Sequence, residues 1–215
     1  MPFNSTYILI GAMALALINW LRTSRSAGRP GPWIGAIIIS ALVVEVAGLG
    51  LAINARPNTV LYNLHAPVEF ALFMRLVHLR LPRLGRWIVT SVVAAVLVMC
   101  ANQWWYHGQV FLLVEGMIML AVMATIWSAL VLWNMAQVSQ QALWRAPLFW
   151  FFMGCMIYFA GIVPFVGMMR LLYQNDPALT RLLYHIIITV AVVRYLFTAW
   201  ACHLASMQQR WSDEQ

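Results

Sequence analysis

Apolar segments about as long as a bilayer is thick recur along the whole chain. Seven such segments follow one another, at roughly 6–21, 33–53, 59–78, 87–103, 109–134, 147–169 and 180–204. A helix needs about 20 mostly apolar residues to cross the hydrocarbon core, and only helices satisfy their own backbone hydrogen bonds within one such segment. The sequence therefore predicts an all-α fold, a polytopic transmembrane bundle of seven helices.

The composition agrees with this prediction. Only 9% of the residues are charged and 63% are hydrophobic, whereas soluble domains carry about 25% charged residues. The links between the segments are short, and no linker or low-complexity run divides the chain. We therefore predict a single domain over 1–215, in which helices adjacent in sequence pack as antiparallel neighbours.

The arginines are distributed unevenly between the two sets of loops. The loops after the odd-numbered segments hold Arg22, Arg25, Arg29, Arg80, Arg83, Arg86, Arg145 and Arg210. The opposite loops hold Arg56, Arg170 and Arg181, with Asp176 as a partial offset. The positive-inside rule predicts an outer N-terminus, retained as a first helix, and an inner C-terminus. The net charge of +7 is then explained by topology and anionic lipid, not by nucleic-acid binding.

Residues that are missing exclude several chemistries. All thirteen basic residues other than histidine are arginine, so a retinal Schiff base, a P-loop lysine and a pyridoxal-phosphate lysine are impossible. The sequence contains no GxSxG, HExxH or CxxCH motif. The three cysteines, Cys100, Cys155 and Cys202, lack metal-type spacing and are predicted to be buried free thiols.

The stretch YNLHAPVEF at 62–70 is unusually polar for a membrane segment. Helical spacing places Tyr62, His65 and Glu69 on one face of the third helix. At 1.5 Å per residue, His65 and Glu69 lie about 9 Å and 15 Å below the outer end of that helix. Pro67 removes a backbone donor, which is tolerated where a helix is buried in protein or lines a wet cavity.

Polar groups on other helices are predicted at comparable depth. Glu45 lies about 12 Å below the outer surface, Glu115 and His185 about 6–9 Å, and Tyr158 about 15 Å. An unpaired charge in the membrane costs about 2.5–3.5 kcal/mol or more, so such groups need partners and are candidate functional residues. We predict an outward-facing pocket formed by Glu45, Tyr62, His65, Glu69, Glu115, Tyr158 and His185.

The sequence also predicts the roles of one arginine and two glycines in the sixth and seventh segments. Arg194 lies nine residues after His185 and is predicted to occupy the opposite face of its helix, with no carboxylate at its depth. Gly154 and Gly161 are seven residues apart and are predicted to allow close helix packing.

The predicted polar layer is compatible with three roles. Its members can pair with one another and simply hold helices together. His65, Glu69 and His185 are also suitable ligands for zinc or a similar ion. Finally, a histidine beside carboxylates titrates near neutral pH, which suits a proton-linked or ligand-recognition pocket.

Two runs, YNLHAPVEFALF and FWFFMGCMIYFAG, precede a histidine early in the seventh segment. This combination resembles a pattern in small seven-helix bacterial membrane proteins, over about the last two-thirds of the chain. The resemblance implies a shared bundle design and a bacterial cytoplasmic (inner) membrane location. It implies no activity and no oligomeric state.

Three functions remain compatible with the sequence. The first is a sensor or receptor that passes a signal from an outward-facing pocket to a separate cytoplasmic protein. The second is a metal-dependent intramembrane hydrolase acting on lipid, which requires an open coordination position on the metal. The third is a small proton-coupled transporter, although the chain has no internal repeat of the kind common in transporters.

Overall fold

A computed structural model describes residues 3–23, 31–105, 113–138 and 142–213. The helices in these ranges are α1 Phe3–Thr23, α2 Gly31–Ile53, α3 Thr59–Arg80, α4 Gly85–Trp105, α5 Val114–Val138, α6 Pro147–Asn175 and α7 Pro177–Asp213. Short 3-10 turns at Pro82–Leu84 and Leu143–Arg145 precede α4 and α6. Each helix coincides with one of the seven apolar segments, although residues 109–112 of the fifth segment lie outside the described residues. The prediction of an all-α fold is confirmed.

Six of these helices, all except α3, are long and apolar enough to cross a membrane. Only 17% to 39% of each apolar window is buried inside the protein. Most of the apolar surface therefore faces outward, which is typical of a bundle surrounded by lipid and not by water. The third helix is more polar because it carries the YNLHAPVEF stretch and Arg75.

The helices pack in a ring. Going around it, α1 contacts α2, α2 contacts α3, α3 contacts α5, α5 contacts α6, α6 contacts α7, and α7 returns to α1. The fourth helix packs outside this ring, against α3 and α5. In this order α3 and α7 stand on opposite sides of the ring, and long side chains can join them only across its interior.

Two glycines of α6 allow its close approach to α7. A Cβ added at Gly154 would lie 2.8 Å from Cβ of Phe197 and 3.2 Å from the carbonyl oxygen of Arg194. A Cβ at Gly161 would lie 3.3 Å from Cγ1 of Val190. The predicted packing role of Gly154 and Gly161 is confirmed, and it holds the backbone of Arg194 against α6.

The junction between α6 and α7 lies beyond the predicted apolar segments. The sixth helix runs on to Asn175, and α7 begins at Pro177, because hydropathy marks the lipid-soluble part of a helix and not its ends. Oδ1 of Asp176 accepts hydrogen bonds of 3.0 Å from the N–H groups of both Ala178 and Leu179. Asp176 therefore caps the N-terminus of α7, and Pro177 occupies the first helical position, where its missing N–H costs nothing.

Candidate functional site

The polar residues of the YNLHAPVEF stretch have partners on other helices. Tyr62, His65 and Glu69 of this stretch form a polar cluster inside the ring together with residues of α2, α6 and α7. The cluster is made of Ser40, Glu45, Tyr62, His65, Glu69, Tyr158 and Arg194. Asn63 lies outside this cluster, and its Oδ1 accepts a 3.1 Å hydrogen bond from the N–H of Leu113, where α5 begins. The stretch thus connects α3 to α2, α5 and α7.

Tyr62 and Glu45 join α3 to α2. The Tyr62 hydroxyl donates a hydrogen bond to Oε2 of Glu45, a carboxylate that is only 9% exposed. Gly48 leaves the space for this contact, since a Cβ there would lie 2.7 Å from the Tyr62 oxygen.

His65 lies between α2 and the carboxylate one turn further along α3. Its Nε2 is 3.4 Å from the hydroxyl oxygen of Ser40, and its Nδ1 is 4.0 Å from Oε2 of Glu69. The second distance is too long for a hydrogen bond but short enough for an electrostatic interaction. The side chains of His65 and Glu69 are 12% and 15% accessible, so this pair is largely buried inside the bundle.

The other carboxylate oxygen of Glu69 makes the closest charged contact described in the protein. Oε1 of Glu69 lies 2.6 Å from Nη1 of Arg194, whose side chain is only 2% exposed. The guanidinium carbon also lies 4.9 Å from the ring of Tyr158, 5.0 Å from that of Phe159 and 5.4 Å from that of Tyr195. Arg194 is therefore held by one carboxylate and a set of aromatic rings, which attract a cation through their electron-rich faces.

This contact contradicts the expectation that Arg194 has no carboxylate at its depth. The depth of Glu69 was about 15 Å from the outer end of its helix, and that of Arg194 about 15 Å from the inner end. In a hydrocarbon core about 30 Å thick these two values describe the same plane. The sequence therefore contained the depth that the two groups share, once both depths are measured from one side, but not the helix arrangement that brings them together.

Arg194 retains unused hydrogen-bonding capacity. Among the described residues, no acceptor forms a hydrogen bond with its Nε or Nη2 atoms. A buried donor without a partner costs about 1–3 kcal/mol, and more when it is charged. The aromatic rings compensate only part of this cost, so the guanidinium depends strongly on Glu69.

Two predicted pocket residues lie elsewhere. Glu115 is exposed at the contact of α4 with α5, where its Oε2 accepts a 2.9 Å hydrogen bond from the Asn102 amide. His185 is exposed beside α1, with its Nδ1 3.2 Å from the hydroxyl oxygen of Ser5. Because His185 and Arg194 occupy opposite faces of α7, as predicted, only Arg194 points into the ring.

The predicted metal ligands are not assembled. In the part of the chain that the structure describes, no three histidine, cysteine, aspartate or glutamate side chains lie close enough to hold one ion. His65 and Glu69 are neighbours, but His185 lies on the outer face of α7. The Arg194 charge beside Glu69 would also repel a divalent cation.

The cysteines are free thiols, as predicted, but they differ in exposure. Cys155 and Cys202 are buried, and Cys100 lies on the exposed surface of α4, which corrects the expectation that all three are buried. Comparisons of the chain with protein-family models, with curated proteins and with solved structures gave no match.

Proposed function

We propose that this chain is a multi-pass membrane sensor, and that the polar cluster is its outward-facing recognition site. The observation that carries the proposal is the ion pair of Glu69 with Arg194, which joins α3 to α7 across the interior of the ring. Ligand binding or protonation at the cluster changes this contact, and with it the relation between two helices on opposite sides of the bundle.

The proposal includes α3 as a seventh span, with the N-terminus outside and the C-terminus inside. Thr59–Arg80 has 22 residues, which corresponds to about 33 Å, enough to cross the hydrocarbon core. Tyr62, His65 and Glu69 point into the bundle and have partners there, while the exposed Arg75 lies over the ring of Trp33. Charged residues in membrane helices are expected in this arrangement, facing the interior and paired.

The charges of the cluster favour a proton as the recognised species. Glu45 and Glu69 carry two negative charges when ionised, and Arg194 supplies one positive charge. With His65 neutral, one negative charge remains without a counter-charge in a region of low dielectric constant. A proton on His65 or Glu45 balances it.

The two alternative functions have less support. The lipid hydrolase needs a metal with an open coordination position, and the described residues provide no three-ligand group. The transporter is expected to have broken helices at its substrate site, whereas α3 and α6 continue through Pro67 and Pro164. A sensor needs neither feature. We place this sensor in the bacterial inner membrane. Its inner loops would pass the signal to a separate cytoplasmic protein.

Thiol accessibility tests the outward-facing site. In a background with Cys100, Cys155 and Cys202 replaced by alanine, His65→Cys is labelled in intact cells with a membrane-impermeant maleimide. Leu64→Cys is the matched control, because Leu64 lies at the same depth but is 67% exposed on the outer surface of the bundle. A thiol in lipid does not ionise and reacts poorly.

We expect labelling of the position 65 variant from the outside and little labelling of the position 64 variant. Labelling of position 65 only in inverted vesicles would overturn the orientation. No labelling at position 65 from either side, in a variant that elutes as a monodisperse protein, would overturn the pocket itself.

Two measurements on the purified protein separate the sensor from its alternatives. Stoichiometric zinc, iron or manganese that is lost in both His65→Ala and Glu69→Ala would support the hydrolase. Dissipation of a pH gradient by proteoliposomes containing the protein, read with an entrapped pH dye, would support the transporter. The sensor predicts neither result.

A further inference from the structure

A groove lies between the first turns of α6 and the later turns of α7. Its volume is about 690 Å³, within the range of pockets that bind small molecules. Its apolar walls are formed by Trp144, Trp150, Trp200, Leu204 and Met207. We call it the aromatic groove.

The walls of the aromatic groove are partly fixed by neighbouring rings. Trp150 stacks on Phe197 with ring centroids 5.4 Å apart and an interplanar angle of 18°. Trp200 lies 5.6 Å from the ring of His203. The groove also opens widely, because Trp144 is 65% and Trp200 47% exposed. A rigid apolar surface that remains this open is covered by something when the protein is in its membrane.

The polar atoms around the groove are largely occupied. Nε1 of Trp150 donates a 2.7 Å hydrogen bond to the carbonyl of Trp144, and the side-chain amide of Gln208 donates one of 2.7 Å to the carbonyl of Arg145. The Arg145 side chain is exposed at the edge of the groove. Among the described residues it is in no ion pair. The groove thus offers apolar contact and one uncompensated positive charge.

The position of the groove in the membrane follows from its tryptophans. Indole rings concentrate at the boundary between hydrocarbon and head groups. From Trp200 to Gln208 the groove extends about 12 Å along α7. One head-group layer is about 5–7 Å thick, so the groove reaches from the head groups into the adjoining hydrocarbon.

We propose that the aromatic groove binds a phospholipid with an anionic head group. The acyl chain lies against Trp150, Trp200 and Leu204, and the phosphate contacts the guanidinium of Arg145. The apolar walls of the groove match the acyl chains of a lipid, and the one arginine at its edge matches a negatively charged head group. Arginine is well suited to phosphate because its donors form a planar fork. A peptide ligand would need free hydrogen-bonding groups in the groove, which are scarce there.

Native mass spectrometry of the purified full chain tests this site. The protein is mixed with equal amounts of phosphatidylglycerol and phosphatidylcholine, and the occupancy of the two lipids is compared. We expect Arg145→Gln to lower the preference for phosphatidylglycerol about fivefold, the effect of one arginine near an anionic surface. Arg145→Lys keeps the charge and should retain most of the preference.

Arg86→Gln is the matched control. Arg86 is also an exposed arginine beside an exposed tryptophan, Trp87, but it does not border the groove. The preference should stay unchanged in this variant, while Trp200→Ala should lower the occupancy of both lipids. An equal loss in the Arg86 and Arg145 variants would show diffuse attraction to charge and overturn the proposal. So would equal binding of the two lipids by the unmodified protein.

Discussion

Replacing Glu69 by glutamine removes one negative charge and leaves the guanidinium of Arg194 buried without its counter-charge. The two groups are 2.6 Å apart, and Arg194 is only 2% exposed. Removing one partner of a buried ion pair typically costs about 3–5 kcal/mol, because the remaining charge stays in the interior. The aromatic rings around Arg194 remain in Glu69→Gln, so we expect a value in this range and not above it.

Thermal unfolding followed by size-exclusion chromatography measures this effect. For a chain of this size, 3–5 kcal/mol corresponds to a decrease in Tm of roughly 6–20 °C. Glu115→Gln is the matched control, because it makes the same substitution at an exposed carboxylate that is hydrogen-bonded to an amide. This control should change the free energy of unfolding by about 0.5 kcal/mol or less.

The double variant Glu69→Gln, Arg194→Met separates loss of the ion pair from loss of packing. It removes both charges, so the penalty for an isolated buried charge disappears, and it should be more stable than Glu69→Gln alone. Two results would contradict a stabilising buried ion pair. One is a loss of stability in Glu69→Gln no larger than in Glu115→Gln, and the other is a further loss by the full additive amount when Arg194→Met is added.

Three further changes test the contacts around the cluster and the helix junction. Gly48→Ala should lower Tm, because the added Cβ would lie 2.7 Å from the Tyr62 oxygen and displace its hydrogen bond to Glu45. Gly50→Ala is the control, because a Cβ there meets nothing within 4 Å, and it should be neutral or stabilising by up to about 1 kcal/mol. An equal decrease in Tm in the two variants would count against the close contact of Gly48 with Tyr62. Tyr62→Phe should cost about 1–3 kcal/mol in chemical denaturation, since the buried Glu45 loses its donor; no loss would mean that water replaces the hydroxyl. Asp176→Ala should cost about 0.5–2 kcal/mol through loss of the α7 cap, whereas Asp176→Asn should retain most of the stability, and equal losses would contradict the capping role.

The residues of the third helix show how far depth and spacing predict a site. His65 and Glu69 were recognised because polar groups in an apolar segment need partners, and both lie in the cluster. Glu115 and His185 satisfied the same depth criterion but lie outside it. Depth depends on the position along a helix, which the sequence provides. The direction in which a side chain points depends also on the rotation of its helix about its own axis, which neighbouring helices determine.

The sequence predicted an all-α fold built from mostly apolar helices, because hydropathy and backbone hydrogen bonding act within each segment. It also identified His65 and Glu69 as polar groups that need partners inside the protein. The contact of Glu69 with Arg194, by contrast, is set by the three-dimensional arrangement of the helices. That contact depends on the ring order, which places α3 opposite α7, and on Gly154, which holds α6 close to the backbone of Arg194. Packing between distant segments produces both conditions, and no local pattern encodes them.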